Sequence, residues 1–452
     1  MMTTTTTTTT TGLGVLAGDA DLARRVTEGK PATILAHAAS VLPDLTHAVD
    51  ALYNPPSASG GGGGGGEARR ALKGGRKGKW KGRSGVNLVS VLAPEHGFRG
   101  DKQAGHGGGN STVDPRTGLT VFSIYNKAPK DIVDVVVGKS GAKVVLVDLQ
   151  DSGARFYTYI WTLYDLLVAA AITNSSGAGV KVVVLDRPNP LGGVDPQGPV
   201  LDAEGGAFVS GVGKRPTPMK HAMTMGELAV LFNEEYVPLE KETGGKNARL
   251  EVVQMRGWTR SMGFTDTGLP WVAPSPNLPT LESVALYVGT GLVEGVNLSE
   301  GRGTTLPFQL LGAPYVGWEY ADALRKINTE PLGVVFREAY FTPTMSKYAN
   351  QTAGGIQVMA AARSSRSSRS ERQLDSVRAA ILIIKTAYDM YGGSNFKWVK
   401  SGSRYWIDLL SGNTQLREGI EKGMSVDEIV AQWQQELDWF MAMSQKYLMY
   451  GD

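Results

Sequence analysis

Cysteine is absent from this 452-residue chain, which excludes disulfides, zinc–thiolate sites and a thiol nucleophile. No apolar run spans a membrane, because residues 163–172 reach only about half of the roughly 20 residues that a crossing needs. The N-terminus lacks the basic start and apolar stretch of a signal peptide. We therefore expect a cytoplasmic protein without a membrane partner. Its 42% hydrophobic and 20% charged residues are typical of a globular protein, long enough for two domains.

Three low-complexity segments interrupt the chain. The Thr tract at 1–11 is predicted to be disordered, residues 55–84 form a Gly-rich and then basic insert, and residues 362–373 form an Arg/Ser-rich insert. The formal net charge of +3 misleads, because residues 67–83 alone hold eight Lys or Arg and one Glu, so the remainder is mildly acidic. Nucleic-acid binding is the alternative interpretation of this basic run. Only Trp80 interrupts it as an aromatic, so we do not expect a nucleic-acid partner.

Short apolar runs rich in β-branched residues alternate with helix-like stretches in the first half. These predicted strands lie at 86–93, 119–125, 142–149 and 180–186, and "PATILA" before them is a further candidate. Such an alternation indicates a parallel sheet covered on both faces. The fold class is therefore α/β, with a Rossmann-like, mostly parallel sheet domain over 12–275 and a smaller α+β domain over 276–452. No G-x-G-x-x-G follows the first strand, so no dinucleotide cofactor is indicated.

The second half mixes helices with short strands. We predict helices at 223–236, 319–328, 373–390 and 425–443 and a strand at 249–258. The domain boundary is placed near residue 275, where this change of pattern occurs.

Polar side chains follow three of the predicted parallel strands. In an open parallel sheet the carboxyl ends of all strands lie along one edge, where ligands bind. The residues concerned are Glu95, His96, Arg99 and Asp101 after the first strand, Asp148, Asp151, Arg155, Tyr157 and Tyr159 at the next, and Asp186, Arg187 and Asn189 at the last. Their convergence predicts a polar cleft whose carboxylates are suited to proton transfer.

Several of these residues also fit a purely structural role. Asp148 and Asp186 could cap turns or pair with Arg155 and Arg187. His96 could be a satisfied orienting group, and the two tyrosines could pack rather than stack on a ligand. Glu95 is different, because a loop that follows a proline and precedes a glycine needs no carboxylate to turn, and we favour a functional role for it.

Two later stretches repeat the pattern of polar residues among prolines and glycines. Residues 271–280 contain Asn277, and residues 294–308 contain Glu300 and Arg302. The backbone amides of Gly301 and Gly303 beside Arg302 suggest an anion-binding loop.

These stretches together resemble the exo-β-N-acetylmuramidase NamZ family, formerly a domain of unknown function. The resemblance is carried by "APEHGFRGDKQAG", "DLQDSGARFYTYIWT", "LDRPNPLGG", "MTMGELA", "PSPNLPT" and "EGVNLSEGRGTTLPFQLLGAP", from about residue 12 to the end. It implies a Rossmann-like domain, a smaller C-terminal domain and a cleft between them. It also implies release of N-acetylmuramic acid from the non-reducing end of peptidoglycan fragments, with the Glu of PEHG, Glu95, as catalytic residue. One departure is His221 followed by Ala222, where the family usually has His then Gly.

As a glycosidase, the protein would use Glu95 as general acid/base. The second group could be a nucleophile, a base for water or the acetamido group of the substrate; Asp151 and Asp186 are the candidates, with Asp101 behind them. The muramic lactyl carboxylate needs a cation, for which Arg155, Arg187 and Arg302 compete. Tyr157 or Tyr159 could stack on the sugar. No metal or other cofactor is required.

Two alternatives remain open on the sequence. One is metal-assisted hydrolysis with His96, Asp148, Asp151 and Asp186 as ligands. The other is an amino-sugar-binding protein without turnover. The sequence says nothing about oligomeric state.

Overall fold

A computed structural model of the chain describes residues 8–53, 84–105, 111–175, 177, 179–328, 332–361 and 374–452. The predicted inserts at 55–84 and 362–373 lie outside these residues, apart from Ser84. The Ser84 hydroxyl donates to the carbonyl of Leu52 at 2.6 Å, so the two flanks of the first insert are in contact.

Strands and helices alternate through the first half, as predicted. The strands are β1 (Pro31–Ala36), β2 (Asn87–Ala93), β3 (Thr112–Val113), β4 (Thr120–Ser123), β5 (Val144–Asp148), β6 (Lys181–Leu185), β7 (Gln197–Val200), β8 (Pro218–Lys220), β9 (Arg249–Val253), β10 (Leu310–Ala313), β11 (Val334–Phe341), β12 (Ala353–Ala360), β13 (Lys400–Ser401) and β14 (Arg404–Tyr405). The α-helices are α1 (Gly12–Gly18), α2 (Ala20–Thr27), α3 (Ala48–Leu52), α4 (Pro129–Val133), α5 (Tyr159–Ser175), α6 (Met225–Leu231), α7 (Leu281–Thr290), α8 (Glu319–Ile327), α9 (Ser376–Tyr391), α10 (Trp406–Ser411), α11 (Gln415–Glu421), α12 (Val426–Ala431) and α13 (Gln434–Ser444). Shorter π and 3₁₀ turns lie at Asp134–Lys139, Glu204–Gly206, Phe232–Tyr236, Val237–Leu239, Lys241–Thr243, Phe264–Thr267, Gly291–Gly295 and Gln445–Tyr447.

The main sheet has seven strands in the order β3-β4-β2-β1-β5-β6-β9. All neighbours from β4 to β9 are parallel, and β3 adds an antiparallel edge. The α/β prediction is confirmed. Because the chain builds outward from β1 first on one side and then, from β5, on the other, the sheet has its topological switch point between β1 and β5.

The sheet is covered on both faces, which explains its continuous apolar strands. Within β5, Val144 and Leu146 belong to one buried cluster, whereas Val145 and Val147 belong to the other. The second cluster contains most of α5 and continues without a break into α7 and α9. The two halves of the chain are therefore joined by a shared core. No helix in the described ranges is long and apolar enough to cross a bilayer.

The second half is built on a smaller antiparallel sheet in the order β10-β12-β11. The boundary predicted near residue 275 falls between β9 and α7, and helices α8 and α9 lie where they were predicted. The prediction of one helix over 425–443 is wrong, because the chain breaks there into α12 and α13.

The described end of the Thr tract differs from its predicted disorder. Thr9 and Thr11 are buried, the amide of Thr10 donates to the carbonyl of Arg256 at 2.9 Å, and the Thr11 hydroxyl caps α1. A threonine run can order here because its backbone finds a partner beyond β9.

The C-terminus returns to the Rossmann-like half and covers the end of β6. The Tyr450 hydroxyl donates to Asp186 Oδ2 at 2.6 Å, and the Thr224 hydroxyl donates to the same oxygen at 2.8 Å. The amides of Arg187 and Gly226 donate to Asp186 Oδ1 at 3.0 and 2.8 Å. A Cβ at Gly226 would come within 2.8 Å of this carboxylate, which explains the glycine in "MTMGELA". Burial of Asp186 raises its pKa to about 6.

The backbone is strained three residues before the start of α6. Ala222 has φ +54°, in the left-handed region that costs an L-residue roughly 1–2 kcal/mol. Its carbonyl accepts from Arg260 at 2.7 Å, so the turn is held in place from outside. This is the position at which the resembling family usually has glycine.

We expect Ala222→Gly to raise the free energy of unfolding by about 1 kcal/mol, because glycine adopts this φ without strain. The midpoint of thermal unfolding should rise accordingly. Ala323→Gly inside α8 is the matched control and should lower it, because a helical φ gives glycine no advantage. A destabilised Ala222→Gly protein would show that the strain is not real.

A second prediction concerns the pH dependence of stability. Because the folded pKa of Asp186 lies above its unfolded value, its protonation favours the folded state below pH about 4, and this contribution is lost as the pH rises through about 6. The loss amounts to roughly 3 kcal/mol. Asp186→Asn, whose amide can donate to the Tyr450 and Thr224 hydroxyls, should abolish it in urea unfolding between pH 4 and 7. Asp438→Asn on the exposed face of α13 should retain the wild-type profile, and a parallel profile for Asp186→Asn would contradict the assignment.

Candidate active site

Glu95 lies where β2 leaves the sheet. Pro94 ends the strand, and His96 and Gly97 follow with φ of +67° and +77°, a double left-handed turn that folds the chain back on itself. The Glu95 side chain is 7% exposed. Its Oε1 accepts from the amide of Gly105 at 2.8 Å and from the Tyr125 hydroxyl at 3.1 Å. Its Oε2 accepts from the Thr158 hydroxyl at 2.6 Å.

All three donors to Glu95 are uncharged, and no Lys, Arg or His of the described residues forms an ion pair with it. Burial and the nearby Glu95 charge raise the pKa of Tyr125 to about 12, so its phenol remains a donor. Among the described residues the carboxylate is therefore held by neutral dipoles and by no salt bridge.

The environment of His96 lowers its pKa. Burial is the main cause that lowers its pKa, and the charge of Arg302 lowers it further against the opposing effect of Glu95. Its Nδ1 lies 3.1 Å from the carbonyl of Lys102, so Nδ1 carries the proton and Nε2 is the acceptor. The charge of Arg302, from the second half of the chain, therefore acts on the His96 ring.

Asp151 is the second buried carboxylate of the site. Its Oδ2 accepts from the amide of Gly153 at 2.6 Å and lies 3.0 Å from His221 Nε2. His221 Nδ1 accepts from the amide of Met223 at 3.2 Å, so the imidazole proton is on Nε2 and points to Asp151. The other oxygen, Oδ1, is buried and has no hydrogen-bond partner among the described residues.

Tyr157 and Tyr159 pack against the loop that carries Glu95 and His96. The Tyr157 hydroxyl donates to the carbonyl of Pro274 at 2.9 Å, and that of Tyr159 lies 3.1 Å from the carbonyl of Glu95. Burial raises the pKa of both phenols, and both carboxylate charges raise them further. The two carboxylates thus act on the same pair of rings. The rings are buried at 4% and 0% exposure, so the prediction that either stacks on a sugar is corrected: both pack.

The structure also corrects the role predicted for Asp186. It is fully buried and receives four hydrogen bonds. It is therefore unavailable as a catalytic group.

Asp148 and Arg187 form a buried ion pair, with both Arg187 Nε and Nη2 on the carboxylate at 2.6 and 2.9 Å. The alternative interpretation, in which Asp148 has a structural role and pairs with an arginine, is the one observed. Arg155 is fully buried and donates to the carbonyls of Pro199, Thr217 and Leu410. Neither arginine can receive a substrate carboxylate, which corrects both predictions.

Of the remaining predicted residues, some have structural contacts and one is exposed. Asn189 bonds the carbonyl of Met223 and the amide of Leu191, and is structural. Arg99 forms an ion pair with Asp114 at 3.1 Å and therefore also has a structural role. Asp101 is exposed at the rim, and Asn277 is buried, with its amide 3.4 Å from Gln103.

Arg302 is the predicted arginine that remains near the site. Its Nη2 lies 2.7 Å from Glu294 and its Nε 3.5 Å from Glu300, and the guanidinium lies over the ring of Phe308 at 4.9 Å. Glu300 is itself 2% exposed. This loop therefore presents a cation that is partly, but not wholly, neutralised.

Tyr125 and Thr158, which donate hydrogen bonds to Glu95, are not among the residues predicted from the sequence. Tyr125 follows β4 on the same edge, so the rule that found the other residues could have found it. Thr158 lies within "ARFYTY" beside two residues that were selected.

The predicted metal ligands do not come together. His96, Asp148, Asp151 and Asp186 each have separate partners, and no group of three or more His, Asp or Glu suited to a metal occurs in the described part of the chain.

Comparison with known proteins agrees with this architecture. The family described as exo-beta-N-acetylmuramidase NamZ matches with its N-terminal part over residues 79–282 and with its C-terminal part over residues 285–450. Peptidoglycan beta-N-acetylmuramidase NamZ of Bacillus subtilis (strain 168) is 41% identical over 366 residues, which are 81% of this chain and 80% of that protein.

Two crystal structures of DUF1343 family proteins from Bacteroides fragilis NCTC 9343 have similar folds. Their TM-scores are 0.74 and 0.65 at 28% and 27% identity, and each comparison covers 98% of this chain and 99% of the other. With one relative above 40% identity and both parts of the family matched in order, the chain belongs to the NamZ family of exo-β-N-acetylmuramidases, which are glycosidases formerly grouped as DUF1343.

Proposed function

We propose that the protein hydrolyses the glycosidic bond of N-acetylmuramic acid at the non-reducing end of peptidoglycan fragments, with Glu95 as general acid/base. Family membership supports the reaction class. The observation that carries the role of Glu95 is that this residue is 7% exposed and that all donors to its carboxylate among the described residues are uncharged.

The chemistry required of Glu95 follows from these contacts. In its protonated form Glu95 delivers a proton to the leaving glycosidic oxygen. The carboxylate that forms is stabilised by the amide of Gly105 and the hydroxyls of Tyr125 and Thr158, which already point to it. No fixed cation has to move when the charge appears.

Asp151 is our candidate for the second group. Its Oδ2 is held by Gly153 and His221, which leaves the lone pairs of Oδ1 free to accept a proton or to act on the sugar. Attack on the anomeric carbon, activation of water and orientation of the substrate acetamido group all use this oxygen. Asp186 is not proposed again, because its carboxylate is enclosed.

Arg302 is our candidate for binding the lactyl carboxylate. It is the predicted arginine whose charge acts on His96 beside Glu95, and its side chain remains 16% exposed. The two glutamates beside it leave part of its hydrogen-bonding capacity for a ligand.

Glu95→Gln should reduce kcat on a chromogenic N-acetylmuramide by about 10³-fold, because the amide cannot deliver a proton. Tyr125→Phe removes one of three donors and should cost about tenfold. Glu240→Gln is the matched control, since Glu240 also accepts from a tyrosine, Tyr164 at 2.6 Å, away from the Glu95 cluster, and should keep wild-type turnover.

Calorimetric binding of N-acetylmuramic acid to Glu95→Gln separates catalysis from binding. Wild-type kcat in Glu95→Gln would refute the general-acid role. A wild-type protein that binds but never hydrolyses any muramide would instead support the amino-sugar-binding alternative.

Asp151→Asn should lower kcat about 10²-fold or more with KM little changed, because Oδ1 acts on the reacting centre. Sodium azide should partly restore turnover if Asp151 is the nucleophile or the base. His221→Gln, which keeps a donor to Oδ2, should have a smaller effect. Equal kcat values in Asp151→Asn and wild type would remove Asp151 from the mechanism.

A further inference from the structure

Lys347 sits in a ring of backbone carbonyls. Its Nζ lies 2.9, 3.3, 2.7 and 3.0 Å from the carbonyl oxygens of Val293, Glu294, Val296 and Leu298. A fifth oxygen, Oε2 of Glu300, lies at 3.1 Å. An ammonium group has three protons, so at least one proton is shared between two or more of these five oxygens. Five oxygens around one charge is the environment that proteins give to a bound monovalent cation.

The backbone that carries Lys347 is strained on both sides of it. Ser346, Tyr348 and Asn350 have φ of +64°, +58° and +62°, although none is glycine. Such conformations are unfavourable for residues other than glycine and persist only where neighbouring contacts hold them. The contacts that hold this segment are therefore expected to have a task.

Three side-chain contacts of this segment go to the loop that carries Glu300 and Arg302. The Thr344 hydroxyl donates to the carbonyl of Gly303 at 2.9 Å, and the Tyr348 hydroxyl donates to that of Asn297 at 2.8 Å. The Ser346 hydroxyl donates to Glu300 Oε1 at 2.7 Å. Together with Lys347, these side chains clamp both ends of the loop.

The charge of Lys347 also decides where Arg302 can point. Glu300 is shared between Lys347 at 3.1 Å and Arg302 at 3.5 Å, and Glu294 holds the other side of Arg302 at 2.7 Å. Without the ammonium, Glu300 would have Arg302 as its nearest cation and would draw it into a closer pair. The guanidinium would then be turned away from the ligand.

We propose that Lys347 is a positioning residue: an internal cation in a carbonyl cage that orders residues 293–303 and keeps Arg302 free for the substrate carboxylate. The claim that Lys347 keeps Arg302 free for the substrate rests on the function proposed above. When the side chain is shortened to alanine, the same oxygens form a site for K⁺ or NH₄⁺, since both ions are close in size to an ammonium group.

The test uses three variants of the full chain. Lys347→Ala opens the cage, Lys347→Met fills it with an uncharged side chain of similar length, and Lys422→Ala removes an exposed lysine that pairs only with Glu418. Thermal unfolding is measured in KCl, NH₄Cl and tetramethylammonium chloride at equal ionic strength. We expect K⁺ and NH₄⁺, but not tetramethylammonium, to raise the midpoint of Lys347→Ala alone.

Kinetics on the chromogenic muramide and on its lactyl methyl ester test the positioning role. Lys347→Ala should raise KM for the free acid about tenfold, change kcat less, and lose selectivity for acid over ester. Potassium should restore the selectivity in Lys347→Ala and not in Lys347→Met.

The outcomes are separable. A midpoint of Lys347→Ala that does not respond to K⁺ overturns the cage, even if the wild type has no muramidase activity. A Lys347→Ala enzyme with wild-type acid-to-ester selectivity overturns the positioning role. Absence of turnover in the wild type would instead reject the proposed function and leave the thermal test valid.

Discussion

A parallel sheet obliges every loop that follows a strand to leave from the same edge, and this constraint governs the rest of the molecule. The loops after β1, β2, β5 and β6 carry acidic and basic side chains into one crowded region. Most of these groups are buried, so each must find a partner there. Gln150 shows how closely the loops are joined, because its backbone N–H donates to His37 Nε2 across the switch point at 2.9 Å.

The partners are distributed unequally. Asp148 receives an arginine, and Asp186 receives four neutral donors, one of which is Tyr450 near the C-terminus. Glu95 and Asp151 remain as carboxylates without an Arg or Lys partner among the described residues, and the charges of both raise the pKa of two buried tyrosines. In a region of low polarity such groups are reactive, whereas a salt-bridged carboxylate is inert. The candidate site thus follows from the two carboxylates that have no arginine partner in the described part of the chain and, unlike Asp186, do not accept two hydrogen bonds on each oxygen.

This distribution also marks what the sequence can tell. The alternation of strands and helices was sufficient to predict the sheet and the edge on which Glu95 lies. It could not predict that Tyr450 would close over Asp186, because that contact joins residues 264 positions apart. Nor could it separate Arg155, surrounded by carbonyls, from Arg302, which pairs with Glu294 and Glu300, since both follow glycine or small residues in similar loops. Strand ends are a local pattern, whereas charge pairing is a property of the completed fold.

The hydrogen bond between Ser84 and Leu52 bears on how much chain can be inserted between α3 and β2. These two points of the chain are in contact and form a closed neck at the base of the loop. The entropic cost of closing a loop there grows only with the logarithm of the loop length. Segments of very different size can therefore be accommodated between α3 and β2 with little effect on the sheet. The neck is a natural place to graft a reporter domain, because its ends are held together whatever lies between them.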